Sequence, residues 1–146
     1  MKKFKMYFDG SCAPINPGGF MGMGYYLEDE NGKIIFEGYD HETSNPKNTN
    51  NVAEYKALYL GLNEFLDYIE KEKIDSYQLD VYGDSNIVIN QMALKWKIKK
   101  GNYRLMALKT KELLKYFENI NFTWIPREAN GYADFLSNKY QMNILI

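Results

Sequence analysis

The chain has 146 residues, of which 45% are hydrophobic and 25% are charged, and its formal net charge is −1. This length and composition are typical of one globular domain, so we expect residues 1–146 to form a single domain. They exclude a membrane-spanning protein, because no apolar run is long enough, and the basic N-terminus lacks the apolar stretch of a signal peptide. The single cysteine, Cys12, excludes an internal disulfide bond and predicts a cytoplasmic protein.

The first half of the chain predicts three strands and a long helix. Alternating apolar side chains predict a strand over residues 3–9, and the Pro- and Gly-rich segment DGSCAPINPGG predicts a loop at its end. An Asn-Gly pair between two strand-like runs, residues 21–29 and 33–40, predicts a hairpin. Apolar residues at helical spacing predict an amphipathic helix over about residues 50–71, with Glu54 on its apolar stripe.

The second half of the chain predicts two further strands among helices. In chain order the predicted elements are a strand over residues 77–83, helices over about 85–92 and 103–117, a strand over 120–125 and a helix over about 128–139. The whole order is therefore βββαβααβα. It predicts an α/β fold with a mixed five-stranded sheet, the first three strands antiparallel and the others parallel, and helices on both faces.

Two acidic residues end strands that this topology brings together. Right-handed crossovers would place the strands ending in Asp9 and Asp84 side by side and parallel. Ligands of such open sheets bind at the carboxyl ends of the strands. The two carboxylates are therefore expected to meet at the edge of the sheet where a ligand would bind.

Two more acidic residues lie on predicted helices. Glu54 lies at the head of the long apolar helix face, and Asp134 lies within the last helix. Converging carboxylates repel one another unless a divalent cation holds them, and oxygen-only ligand sets suit Mg²⁺ or Mn²⁺. The four acids predict a metal-dependent enzyme of phosphate chemistry, provided they meet in space; each taken singly is also compatible with an ordinary surface carboxylate.

Four segments, DGSCAPINPGG, TNNVAEY, YGDSNIVINQ and REANGYADFLSN, resemble the motifs of type 1 ribonuclease H in the family's order. The resemblance extends from about residue 3 to residue 139 and implies the ribonuclease H-like fold. It implies endonucleolytic cleavage of the RNA strand of an RNA·DNA hybrid, leaving 5′-phosphate and 3′-hydroxyl ends. It also implies two Mg²⁺ ions, with Mn²⁺ as a substitute, clamping the scissile phosphate. The implied catalytic and metal-binding residues are Asp9, Glu54, Asp84 and Asp134.

The same resemblance implies a set of substrate contacts. Backbone groups of Gly10 and Ser11 would contact the RNA strand, where the 2′-hydroxyl distinguishes RNA from DNA. Asn50 and Asn51 would contact the minor groove. The remaining implied contacts are Asn16 and Thr49 in a pocket for a DNA phosphate, Asn86 after the acid of the fourth strand, Arg127 at a phosphate or the leaving group, and Asn130.

Local structural roles remain open for some of these residues. Thr49 or Asn50 is equally suited to cap the long helix, and Asn16 precedes a Pro-Gly pair that is typical of a turn. The loop before Asn16 is one residue longer than the commonest form in the family, which weakens that match.

The chain departs from many family members in two places. The loop before Asp134 has Arg127 and Asn130 where many members have a histidine, and the one histidine of the chain, His41, is predicted on a solvated loop after the third strand. The basic protrusion of longer members is reduced to residues 93–102, with four lysines and Trp96. This segment predicts phosphate contacts without sequence readout, or else a solvated loop with Trp96 folded onto the core.

Three alternative functions remain open at this point. The first is another nuclease on the same fold, either an exonuclease or an enzyme that also cleaves double-stranded RNA. The second is a non-catalytic nucleic-acid-binding module, which the intact acidic quartet argues against. The third is an interaction protein, supported only by the apolar tail, residues 143–146, which could equally form an edge strand or a docked terminus. The expected partner is an RNA·DNA hybrid, with no membrane, no protein partner and a monomeric state.

Overall fold

A computed structural model describes the backbone of residues 1–144 and the side chains of residues 1–141. Its strands are β1 (Lys2–Ala13), β2 (Phe20–Asp29), β3 (Ile34–Glu42), β4 (Tyr77–Gly83) and β5 (Ile120–Trp124). Its helices are α1 (Asn50–Lys71), α2 (Asn86–Met92), α3 (Arg104–Leu113), α4 (Gly131–Ser137) and α5 (Lys139–Ile144). Short 3₁₀ turns cover Leu114–Tyr116 and Arg127–Ala129. Of the helices in this described part of the chain, none is both long and apolar enough to cross a membrane.

The strands form a mixed sheet in the order β3-β2-β1-β4-β5. The three strands β1, β2 and β3 pair antiparallel, whereas β4 runs parallel to both β1 and β5. This arrangement confirms the predicted fold class, and it confirms that the strands carrying Asp9 and Asp84 are parallel neighbours.

Helices cover both faces of the sheet, as predicted. On one face, the alternating side chains Phe4, Met6 and Phe8 of β1 are buried against α1 and its neighbours. On the other face, α4 lies directly on β2. A Cβ atom at Gly24 would lie 2.4 Å from the backbone nitrogen of Ser137, so this close approach of helix and strand requires a glycine. The two helix layers meet the sheet near the middle of β1, which is where the acidic residues lie.

Strand β1 is longer than predicted. The segment after Asp9 was predicted to be a loop because it contains small and turn-forming residues, but it continues to pair with β2 as far as Ala13, opposite Phe20. Asp9 therefore lies within the strand, opposite Gly24, and does not end it. Asp84 follows the last residue of β4, as predicted.

The last predicted helix is interrupted. Instead of one helix over residues 128–139, the chain forms the Arg127–Ala129 turn, then α4, then α5. Asn130 and Asn138 flank α4 with backbone angles outside the helical region (φ −115° and −102°), since asparagine side chains compete for backbone hydrogen bonds. The predicted helix over residues 103–117 is also shorter, because α3 ends at Leu113 and continues as a 3₁₀ turn.

His41 lies on a strand, not on the predicted loop. It belongs to β3, pairs with Gly22 and stacks on the ring of Tyr140, with ring centroids 5.8 Å apart. Its side chain is exposed, as expected. Of the apolar tail at residues 143–146, the first two backbone positions belong to α5, which excludes an edge strand there; residues 145 and 146 lie outside the described residues.

Candidate active site

Three elements deliver acidic side chains to one point. Strands β1 and β4 run side by side and carry Asp9 and Asp84 toward the same end of the sheet. Helix α1 reaches this point by crossing β1 at Gly10, where a Cβ atom would lie 2.3 Å from the backbone of Ala53 and of Glu54. Any side chain at position 10 would displace the helix. The glycine therefore allows Glu54 to reach the carboxylate of Asp9.

The acidic residues form a compact cluster. One carboxylate oxygen from each of Asp9, Glu54 and Asp84 lies within 4.8 Å of the others. Asp9 and Glu54 each expose only 6% of their surface, while Asp84 is half-buried. Asp134, on α4, lines the same cleft and contributes to the raised pKa of Asp9. The four predicted acids thus converge, three of them closely and Asp134 beside them.

The cluster lies at the floor of an open cleft of about 500 Å³. The cleft is lined mainly by polar side chains and by the backbone of β1 beyond Asp9. Its lining residues are Asp9, Gly10, Ser11, Cys12, Ala13, Asn50, Glu54, Asp84, Arg127, Asp134 and Asn138.

Burial makes the charged forms of these carboxylates unfavourable. It raises the pKa of Asp9 to about 7; a hydrogen bond with Glu54 opposes this rise, and the charge of Asp84 adds to it. Burial, followed by the charge of Asp9, raises the pKa of Glu54 well above its usual value. Burial also raises the pKa of Asp84, against the effect of a hydrogen bond from Asn130 and the charge of Arg127. Without a cation, the charged forms of these three carboxylates are therefore disfavoured.

The donor set fits a hard divalent cation. All the converging ligand atoms are carboxylate oxygens, which is the set that Mg²⁺ and Mn²⁺ prefer. Moreover, Oε2 of Glu54 is buried and has no hydrogen-bond partner within the part of the chain that the structure describes. A buried carboxylate oxygen without a partner is costly, and a bound cation would remove that cost. The observation agrees with a metal site at this cluster.

The side chain of Asn130 is buried and hydrogen-bonded to Asp84. Its side chain is 1% exposed, and its Nδ2 donates to the backbone oxygen of Phe8 (2.9 Å) and to Oδ2 of Asp84 (3.2 Å). The indole Nε1 of Trp124 donates to the backbone oxygen of Asp84 at 3.1 Å. Asn130 therefore lies beneath the carboxylates, which makes it better placed to orient Asp84 than to contact a ligand directly.

The predicted substrate contacts fall into two groups. Gly10, Ser11, Asn50 and Arg127 line the cleft. The other five, Asn16, Thr49, Asn51, Asn86 and Asn130, are not among the described residues that line it.

The residues outside the cleft lining have local roles in two cases. Thr49 caps α1, with Oγ1 accepting from the backbone nitrogen of Val52 at 3.1 Å. Of the two roles considered for Thr49, the structure therefore shows the helix cap. Asn16 donates from Nδ2 to Oδ1 of Asn50 at 2.9 Å, which links it to a cleft residue. Asn86 begins α2 with its side chain exposed.

Sequence reasoning missed Asn138. Its Nδ2 donates to the backbone oxygen of Asp134 (2.9 Å) and to Oδ1 of the same residue (3.3 Å), and it lines the cleft. Its position four residues after Asp134, hence on the same side of a helix, was the available signal. It is placed to orient the carboxylate of Asp134.

Trp96, in the basic segment, is not folded onto the core, because 51% of its surface is exposed. It lines a separate, mostly apolar groove together with Lys97, Lys99 and Tyr103. The hydroxyl of Tyr103 accepts hydrogen bonds from the backbone nitrogen of Lys99 (3.0 Å) and from Gln91 (3.1 Å). The loop that carries the lysines is thus anchored to α2 and presents them to solvent.

Comparison with known proteins agrees with this geometry. A profile of the reverse transcriptase-like family matches residues 8–140. Ribonuclease HI of Halobacterium salinarum is 32% identical over 133 residues, which are 91% of this chain and 61% of that protein. The bifunctional protein Rv2228c of Mycobacterium tuberculosis is 37% identical over 90 residues, which are 62% of this chain and 23% of that protein. The chain thus spans less than two thirds of the length of these relatives.

Solved structures share the whole fold. LC11-RNase H1, a protein isolated from compost, has a crystal structure in complex with an RNA/DNA hybrid. This structure superposes with a TM-score of 0.85 at 28% identity and covers 98% of this chain and 99% of its own.

The sheet order and the acidic cluster define a ribonuclease H-like domain. The resemblance of the four motifs is confirmed, and the chain belongs to the reverse transcriptase-like family, among the type 1 ribonuclease H proteins.

Proposed function

We propose that this protein is an endonuclease that cleaves the RNA strand of RNA·DNA hybrids. The observation that carries the proposal is the cluster of Asp9, Glu54 and Asp84, whose carboxylate oxygens lie within 4.8 Å of one another at the floor of an open cleft. The hybrid bound by the structurally similar LC11-RNase H1 supports this substrate class. An open cleft suits an internal position on a strand better than a closed pocket would. We also infer that the domain acts as a cytoplasmic monomer.

In this proposal the acidic residues hold divalent cations. Asp9, Glu54, Asp84 and Asp134 are the ligands, and Asp9 is central because Glu54, Asp84 and Asp134 all affect its pKa. Two Mg²⁺ ions, or Mn²⁺, held by these residues would lower the pKa of a water and neutralise charge at the scissile phosphate, and the products would carry 5′-phosphate and 3′-hydroxyl ends. Asn130 and Asn138 keep two of the ligand carboxylates in place, as partners of metal ligands commonly do.

The cleft lining would recognise the substrate. Backbone groups of Gly10 and Ser11 lie on the extended part of β1, where they can approach a 2′-hydroxyl on the RNA strand. Arg127 lies beside Asp84 and carries the positive charge that a phosphate needs. Asn50, at the start of α1, lines the cleft and would contact the minor groove. Further candidates, outside the cleft lining, are Asn16, Thr49, Asn51 and Asn86.

The test is cleavage of an internally labelled RNA·DNA hybrid with blocked ends, in Mg²⁺, in Mn²⁺ and in EDTA. We expect metal-dependent internal cuts in the RNA strand and none in EDTA. Single-stranded RNA and duplex RNA serve as comparison substrates. Cutting only from unblocked ends would replace the proposal by an exonuclease, and binding without cutting in either metal would replace it by a non-catalytic module.

The lysines of the segment after α2 predict salt-dependent affinity. Each phosphate contact adds about 0.9 to the slope of log K against log salt concentration for duplex DNA. Replacing the exposed Lys97 and Lys99 by Ala should therefore lower the slope for a hybrid by about 2. The measurement is fluorescence anisotropy with a labelled hybrid at several salt concentrations. Replacing Lys2 and Lys3, exposed at the opposite end of β1, is the matched control and should leave the slope unchanged; equal slopes for both variants would contradict the prediction.

A further inference from the structure

Two loops flank the cleft, and both carry predicted substrate contacts. The β1–β2 loop, residues 14–19, carries Asn16, and the segment before α1 leads into Asn50. The two exposed side chains are joined by a reciprocal pair of hydrogen bonds. Nδ2 of Asn16 donates to Oδ1 of Asn50 (2.9 Å), and the backbone nitrogen of Asn50 donates to Oδ1 of Asn16 (3.3 Å). Exposed bonds of this kind compete with water and add little rigidity by themselves.

A buried asparagine, Asn48, connects the same two segments. Asn48 exposes 6% of its surface, and its Nδ2 donates two hydrogen bonds of 2.9 Å, to the backbone oxygens of Gly19 and of Thr43. In the reverse direction, the backbone oxygen of Asn48 accepts from the backbone nitrogen of Gly18 at 2.9 Å. One residue therefore connects the β1–β2 loop, the end of β3 and the start of α1.

This connection is local and leaves the β1–β2 loop little freedom. Gly19 is packed so closely that a Cβ atom would lie 2.5 Å from the backbone oxygen of Ile15, and Gly18 has a φ of +106°. The residue that follows Asn48, Thr49, is the N-cap of α1. A shift of Asn48 would therefore move both the loop that carries Asn16 and the helix start that carries Asn50.

We infer that Asn48 is a positioning residue that fixes the distance between the Asn16 loop and the N-terminus of α1, and thereby the fit of the cleft to a hybrid duplex. The inference rests on the proposed function, because it takes both loops as contacts of that substrate. Asn48 makes no contact with the acidic cluster in the hydrogen bonds above. Its loss should therefore weaken substrate binding and leave the chemical step in place.

The decisive variant is Asn48→Asp. It keeps the shape of the side chain but places an oxygen where the amide donated to two carbonyl oxygens, so the link is replaced by repulsion. We expect KM for the hybrid to rise by about tenfold, with kcat within about twofold of the parent. The amide of Gly18 should exchange hydrogen faster, since its acceptor is the displaced backbone oxygen. Asn48→Ala, which removes the donors without adding repulsion, gives the same comparison if the Asp variant does not fold.

Asn45→Ala is the matched control. Asn45 is exposed in the same segment, and its side chain accepts only from the backbone nitrogen of Lys47 among the hydrogen bonds of the described residues. It should leave KM, kcat and the exchange at Gly18 unchanged. A double-mutant cycle then separates positioning from general stability: Asn48→Asp should cost less in an Asn16→Ala background than in the parent. Additive effects, or an unchanged KM with faster exchange at Gly18, would overturn the inference.

Failure of the inference and failure of the proposed function give different results. If the parent protein does not cleave hybrids, the proposed function fails. Hybrid binding measured by anisotropy in EDTA, together with exchange at Gly18, still decides whether Asn48 positions the two loops. Weaker binding and faster exchange in Asn48→Asp would support it, and unchanged binding would overturn it.

Discussion

Replacing Asp84 by Asn is expected to lower the rate of hybrid cleavage by at least 10²–10³-fold, on the order observed when one group that stabilises transition-state charge is removed. The substitution keeps the size of the side chain, and its amide oxygen can still accept the hydrogen bond from Asn130. The fold and the floor of the cleft should therefore persist, while one of the three clustered negative charges is lost. The measurement is the single-turnover rate with saturating hybrid and excess Mg²⁺.

Asp80→Asn is the matched control for this experiment. Asp80 lies four residues before Asp84, within β4, is half-buried and accepts hydrogen bonds from Gln78 and Asn121. Its removal neutralises a similar carboxylate outside the cleft, so the rate should stay within about twofold of the parent. If Asp84→Asn cleaves as fast as Asp80→Asn, the acidic cluster is not the catalytic centre.

Most of the fold could be predicted because it depends on patterns that are local in sequence. Alternation within β1, helical spacing in α1 and the Asn-Gly turn each specify one element, and crossover handedness then makes β1 and β4 parallel neighbours. The meeting of Asp9 and Asp84 follows from these rules alone. For Glu54, helical spacing predicted its place on the apolar stripe of α1, but not its approach to the carboxylates of Asp9 and Asp84.

The errors arose where tertiary contacts override local signals. Residues 10–13 are small and turn-forming, yet they extend β1 because β2 pairs with them and α1 packs against Gly10. The glycine that suggested a turn is needed for the approach of the helix. Nor did helical spacing reveal the break before α4, where Asn130 leaves the helical conformation and becomes buried beneath Asp84.

The supporting shell of the site was the least predictable part. Asn48 and Asn138 are polar residues among many in this chain, and their roles depend on which backbone oxygens lie beside them after folding. The motif residues, by contrast, were identified from the family resemblance. A single sequence therefore indicated the acids of the site but not the amides that hold their surroundings in place.

The metal-free protein should lose stability as the pH rises, because the carboxylates of its acidic cluster are buried and lie close to one another. The pKa of Asp9 is about 7 in the folded protein and 3.8 in an unfolded chain. Between these values the folded protein holds a proton that the unfolded chain has released, so the free energy of unfolding falls as pH rises through this window. The raised pKa of Glu54 acts in the same direction. We expect a loss of about 2–4 kcal/mol between about pH 5 and pH 8 in EDTA, measured by urea unfolding.

Asp9→Asn should remove much of this loss of stability at high pH. The same substitution should abolish cleavage of the hybrid. Without the charge at position 9, Glu54 and Asp84 no longer face a third carboxylate, so the metal-free variant should be more stable than the parent at pH 8 and less dependent on pH. Excess Mg²⁺ should stabilise the parent, by about 2.7 kcal/mol at a hundredfold excess over Kd, and stabilise the variant much less. Asp80→Asn should follow the parent in both respects. A parent whose stability in EDTA is flat or rises over this pH range, with no gain in Asp9→Asn, would show that the cluster is not strained by its own charge.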